Sequence, residues 1–82
     1  MQKISLNNKI FNIIKNELKL KKVTINDKIN KTKRWDSISN LNILLQIESI
    51  LKIKFNTKEF NSLNNTKSIL SNVRTKIKKR IK

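Results

Sequence analysis

Apolar positions along the chain fall into helical stripes separated by polar, aperiodic stretches. Leu6, Ile10, Ile13, Ile14 and Leu18 recur at three- and four-residue intervals, and Phe11 and Leu20 widen the stripe. Lys9, Lys15, Asn16 and Lys19 fill the other side. This spacing predicts a first helix over 6–20, with Ser5 as its N-cap. From Lys21 to Asp36 the periodicity fails. Val23, Ile25 and Ile29 stand among Thr24, Asn26, Asp27, Asn30 and Lys31, which reads as a long loop tacked down by a few apolar anchors. Long connections in small domains are often functional. A second helix is predicted over 37–51, capped by Asp36, with Ser37 in its first turn and the hydroxyl outward. Ile38, Leu41, Ile43, Leu44, Leu45, Ile47, Ile50 and Leu51 coat much of its circumference, so it is expected to be the most buried element. Ile53-Lys54-Phe55 reads as a short extended link. Asn56 or Thr57 can cap a short third helix over 58–63, and Asn65 or Thr66 a final helix over 66–77 with a basic, frayed tail at 78–82.

Composition narrows the chemistry. The 82 residues suit one domain, residues 1–82, with one small core. Cysteine and histidine are both absent, which removes disulfides, thiolate metal sites and the commonest general base. The five acids, Glu17, Asp27, Asp36, Glu48 and Glu59, are scattered. A self-contained enzyme and a metal site are therefore not expected. Asn7, Asn8 and Lys9 interrupt any signal-like apolar stretch, and no run approaches a membrane span, so the expected location is the cytoplasm.

The net charge of +15 points towards nucleic acid or an anionic membrane. Base bias weakens that inference. Lys, Asn and Ile, all with A/T-rich codons, supply 44 of the 82 residues, and Gly, Pro and Ala are absent. The cations are also spread along the chain rather than gathered on one element. One Trp, three Phe and no Tyr make a poor base-stacking platform. The densest charge is at Arg74–Lys82, where Ile77 and Ile81 lie four apart; the tail reads first as a solvated, fraying helix end and otherwise as a contact for an anionic membrane, nucleic acid or an acidic enzyme surface.

Trp35-Asp36-Ser37-Ile38 places a hydroxyl, with an acid beside it, where a helix begins. Helix N-termini carry unpaired N–H groups and partial positive charge, and so stabilise an attached phosphate. Taken alone, Ser37 is an ordinary capping or surface residue. Its surroundings are more specific. Trp35-Asp36-Ser37-Ile38-Ser39-Asn40-Leu41-Asn42-Ile43, followed by Glu48 and Ile53-Lys54-Phe55, resembles the acyl carrier proteins and their peptidyl and aminoacyl carrier relatives. The resemblance runs from about Leu6 to Val73.

The resemblance implies an all-α, four-helix acyl-carrier-protein-like bundle with a long loop between helices 1 and 2. It implies that Ser37 accepts 4′-phosphopantetheine from coenzyme A, attached by a separate Mg²⁺-dependent phosphopantetheinyl transferase. Asp36 would be cap and recognition acid. Ile38, expected to be core that also borders the arm, and Leu41 would form the wall along which the arm lies. The expected partners are that transferase and enzymes that load or transfer acyl or aminoacyl groups, and the carrier itself is non-catalytic and monomeric. Trp35 is expected to anchor the loop rather than stack on a ligand.

Two departures from the family pattern stand out. Positions where acids are common hold Ser39, Asn42, Ser49 and Ile50, leaving Glu48. Lys52 stands where the family often has glycine, and a left-handed conformation there costs roughly 1–2 kcal/mol. The alternatives are a small basic helical module for nucleic acid or anionic membrane, and a carrier fold kept only for protein interaction.

Overall fold

The computed structural model describes residues 5–81, with side chains through Lys79. It is an all-α chain of four helices: α1 (Leu6–Leu18), α2 (Ser37–Leu51), α3 (Thr57–Ser62) and α4 (Thr66–Ile81). The only pairing of extended backbone among the described residues is an isolated bridge between Lys28 and Asn65. None of these helices is long and apolar enough to cross a membrane.

Caps set the helix starts. The Ser5 hydroxyl accepts the Asn8 N–H, and the Asp36 carboxylate accepts that of Ser39. Asn56 and Glu59 exchange side chain and backbone bonds in a full capping box. The Asn65 side chain accepts the Ser68 N–H at 2.8 Å.

α1 stops at Leu18, two residues short of the expected end. Lys19 takes the left-handed conformation (φ 55°), and the Leu20 N–H turns back to the Lys15 carbonyl. α2 ends in the same way, with Lys52 at φ 58° and the Ile53 N–H on the Glu48 carbonyl. This is the reversed hydrogen-bond pattern that glycine usually enables. With no glycine in the chain, lysine fills both positions at a cost of roughly 1–2 kcal/mol each. Burial of the next residue offsets that cost: Ile53 is buried and Leu20 packs against the core.

α3 begins and ends one residue early relative to the expected 58–63. α4 continues to Ile81, beyond the expected end at Ile77, so the tail through Ile81 is helical rather than frayed. Ile77 packs against the core, and the basic residues that follow are good helix formers whose charge suits a helix C-terminus. Lys82 lies outside the described residues.

The core joins Ile10, Ile13, Ile14 and Leu18 of α1, Ile43, Leu44, Ile47 and Leu51 of α2, and Ile69, Leu70 and Val73 of α4. Trp35, Ile53, Phe55 and Leu63 close it from the connections. Glu17 ties α1 to α2 by accepting from Asn42 (3.1 Å) and Gln46 (2.7 Å).

The long loop is held by polar bonds more than by apolar anchors. Val23 and Ile29 pack against the core, but Ile25, expected to anchor, is 48% exposed. Asp27 organises the segment instead. Its carboxylate accepts the Thr24 N–H (2.6 Å) and the Thr32 hydroxyl (2.9 Å), and its carbonyl accepts the Thr66 N–H (3.0 Å). The Ile29 N–H reaches the Asn64 carbonyl at 2.9 Å. The loop is thereby fastened to the start of α4.

Glu59 links α3 to α4. The Lys76 ammonium hydrogen-bonds its carboxylate, and with help from Asn72 and the Asn56 N–H it lowers the Glu59 pKa from 4.5 to about 2 against the opposing effect of burial. A depressed carboxyl stabilises the fold fully above its unfolded pKa and loses that contribution as pH falls. Urea unfolding should therefore show stability declining between pH 4.5 and about 2, with Glu59→Gln removing part of that decline. An unchanged pH dependence in the variant would contradict this assignment.

Candidate functional site

Ser37 is the first residue of α2 and is exposed. None of the side-chain hydrogen bonds among the described residues engages its Oγ. Asp36, also exposed, caps the same end with Oδ1 2.8 Å from the Ser39 nitrogen. That hydrogen bond, with weaker ones from the same turn, draws the Asp36 carboxyl below its ordinary pKa against the opposing effect of desolvation. The helix end therefore already holds one negative group. A bare helix terminus would offer more donors to a phosphate than this one does.

The backbone at Ser37 is fixed from beneath. Trp35 is buried, and its indole Nε1–H donates to Asn40 Oδ1 at 2.8 Å. Asn40 Nδ2 in turn donates to the Leu63 carbonyl at 3.0 Å. The Trp35 carbonyl accepts the Asn30 N–H (2.8 Å), and its own N–H reaches the Thr32 carbonyl (3.1 Å). Ser37 thus stands between two buried, mutually bonded residues, while its own side chain faces solvent. Trp35 is a loop anchor, as expected.

Asn40 escaped the sequence reading. The signal was present: Asn40, Ile43, Leu44, Ile47 and Leu51 share one helical stripe, and a polar residue on a buried stripe needs partners.

The structure corrects two expectations about α2. Ile38 is 72% exposed and is not core. At 3.6 residues per turn it lies about half a turn out of phase with Ile47, which is fully buried. α2 does contribute five buried residues, but its apolar coat is not buried over most of the circumference, because Leu41, Leu45 and Ile50 are also exposed. Ile38, Leu41 and Leu45 gather on the outward face, so the helix carries one apolar face inward and another outward.

Ser37 and Leu41 come together on an open groove of about 310 Å³ bounded by the long loop, α2 and α3. Ile29 and Phe60 add apolar wall, and Asn40, Asn61 and Asn64 add polar groups. Ile38 does not line it. The volume sits at the lower end of the range for small-molecule sites. No cluster of acids suited to a metal ion occurs among the described residues.

None of the protein-family models, curated proteins or solved structures compared with this chain matches it.

The Trp35–Asn40–Leu63 connection makes a quantitative prediction. Asn40→Leu preserves bulk but leaves the indole N–H and the Leu63 carbonyl buried without partners, so urea unfolding should show a loss of about 2–3 kcal/mol. A loss below about 0.5 kcal/mol, the range of ordinary surface changes, would contradict the assignment.

Proposed function

We propose that the protein is a carrier whose Ser37 hydroxyl is the attachment point for 4′-phosphopantetheine, on which acyl or aminoacyl groups are held for partner enzymes. The observation that carries the reading is the setting of Ser37: an exposed, uncommitted hydroxyl at the start of a 15-residue helix, fixed from below and bordering a groove with an apolar wall. The resemblance of Trp35-Asp36-Ser37-Ile38 and the positions registered with it supplies the chemical identity of the group.

The residues present fit such a group. Ser37 Oγ would form the phosphodiester as its proton leaves to a base on the transferase and adenosine 3′,5′-bisphosphate departs from coenzyme A. Leu41, Ile29 and Phe60 offer apolar surface to an extended chain, and Asn61 and Asn64 offer hydrogen bonds to amide groups. Ile38, being exposed, belongs to the surface a partner would meet rather than to the wall of the groove. When bound, the arm supplies the thiol on which thioesters are carried, which a chain without cysteine or histidine cannot provide itself.

Asp36 has two consequences for this chemistry. It keeps the first turn of α2 ordered while Ser37 reacts. It also places a carboxylate next to the incoming phosphate, so a transferase must bring cationic groups or Mg²⁺ to that spot. α2 offers such an enzyme Ile38, Leu41 and Leu45 in place of a row of acids. The expected partners therefore dock through apolar contact there.

The test is intact mass after incubation with coenzyme A, Mg²⁺ and the phosphopantetheinyl transferase of the native host. Wild type should gain the mass of one phosphopantetheinyl group and Ser37→Ala none. An unmodified wild type, or an equal adduct on Ser37→Ala, would overturn the reading.

A further inference from the structure

A second, larger groove lies apart from Ser37. It encloses about 780 Å³ and runs along α4 against the first turn of α1. Leu6, Leu70 and Ile77 form its apolar floor. Lys67, Arg74 and Lys78 stand on its α4 side. Separated by seven and four residues, these cations fall on one line along the helix, over about 16 Å. α4 carries no acid at all, and no ion pair reaches the three among the described residues. Glu59 and Asp27 are engaged elsewhere, since Glu59 is paired with Lys76 and Asp27 holds the loop together.

An apolar trough beside an unneutralised cationic row calls for a ligand with one apolar face and one acidic edge. We propose that this groove is the docking site for an acidic amphipathic helix of a partner protein. The partner's apolar side chains would enter the trough, and its carboxylates would lie along Lys67, Arg74 and Lys78. This is the helix-in-groove mode of recognition, with charge fixing direction and register. Ser37 does not line the groove, so the inference is independent of the phosphopantetheine reading.

The shape selects this occupant over other anions. A nucleic-acid backbone would match the cations but leave the trough unfilled. A bilayer needs several apolar side chains that project outward, whereas of the apolar residues lining this groove only Ile25 is exposed, Leu70 is buried and Leu6 and Ile77 are half-buried. The four residues before Ser5 contain a lysine and no acid, so they lack the charge that the row calls for.

The probe is a fluorescent synthetic peptide about three turns long, with leucines on one helical face and glutamates beside them. Its controls are the same composition in shuffled order, phosphatidylglycerol vesicles and a short DNA duplex. Binding is followed by anisotropy and by amide shift mapping on the full chain. The ordered peptide should bind at least about fivefold more tightly than the shuffled one, with shifts centred on Leu6, Leu70 and Ser71. Charge reversal by Lys67→Glu with Arg74→Glu should weaken it about tenfold or more, whereas Lys31→Glu with Lys33→Glu, an equal change in net charge, should alter it less than about twofold. Ser71→Trp, which fills the groove without changing charge, should also abolish the preference for the ordered peptide. Equal binding of ordered and shuffled peptides, or equal weakening by the two charge reversals, would overturn the proposal. So would shifts centred outside the groove, or tighter binding of vesicles or duplex at the groove than of the ordered peptide.

Discussion

The arrangement around Ser37 depends on one buried polar connection, from the Trp35 indole through the Asn40 side-chain amide to the Leu63 carbonyl. It joins the end of the long loop and the adjoining first turn of α2 to the end of α3, 23 residues further along the chain. Each group in it is buried, and a buried donor or acceptor left without its partner costs about 1–3 kcal/mol. That penalty makes the connection specific: these segments can meet in one register only. Ser37 is placed by its neighbours rather than by any side-chain hydrogen bond of its own, so its hydroxyl stays uncommitted while its backbone stays in place.

The five acids explain the character of the surface. Glu17 bridges α1 and α2, Asp27 organises the loop, Asp36 caps α2, Glu48 accepts the Phe55 N–H, and Glu59 caps α3 and pairs with Lys76. All five serve the fold. Five carboxylates, each with a structural partner, stand against twenty lysines and arginines, so the surface stays strongly cationic. The two surfaces proposed for recognition therefore differ in kind: exposed apolar side chains at α2, and a cationic row beside an apolar groove along α4.

Much of the fold was legible in the sequence because local rules governed it. Ser5, Asp36, Asn56 and Asn65 announced the helix starts, and α2 has the bounds its pattern predicts. The stripe of α1 is the buried face of α1. The pattern fails where tertiary geometry decides. Eight apolar residues on α2 suggested burial over much of its circumference, but Ile38, Leu41, Leu45 and Ile50 face outward because the core lies on one side of the helix only. Ile25 reads like Ile29 in sequence, yet only Ile29 lies where the loop is tied to Asn64. The end of α1 was hard to place because Lys19, rather than a glycine, takes the left-handed position. Around Ser37, the Asp36 cap and the exposed hydroxyl at the start of α2 were legible from the sequence. Asn40 and the α4 groove were not, since each depends on segments brought together only by folding.

The central claim is that Ser37 is held on a fixed post by the Trp35–Asn40–Leu63 connection. Hydrogen exchange of the Trp35 indole N–H in the native protein tests it most directly. The connection predicts protection as slow as that of the amides in the core of α2, since the bond opens only when the fold does. Exchange of that proton at the rate of an exposed indole, with the α2 amides still protected, would contradict it.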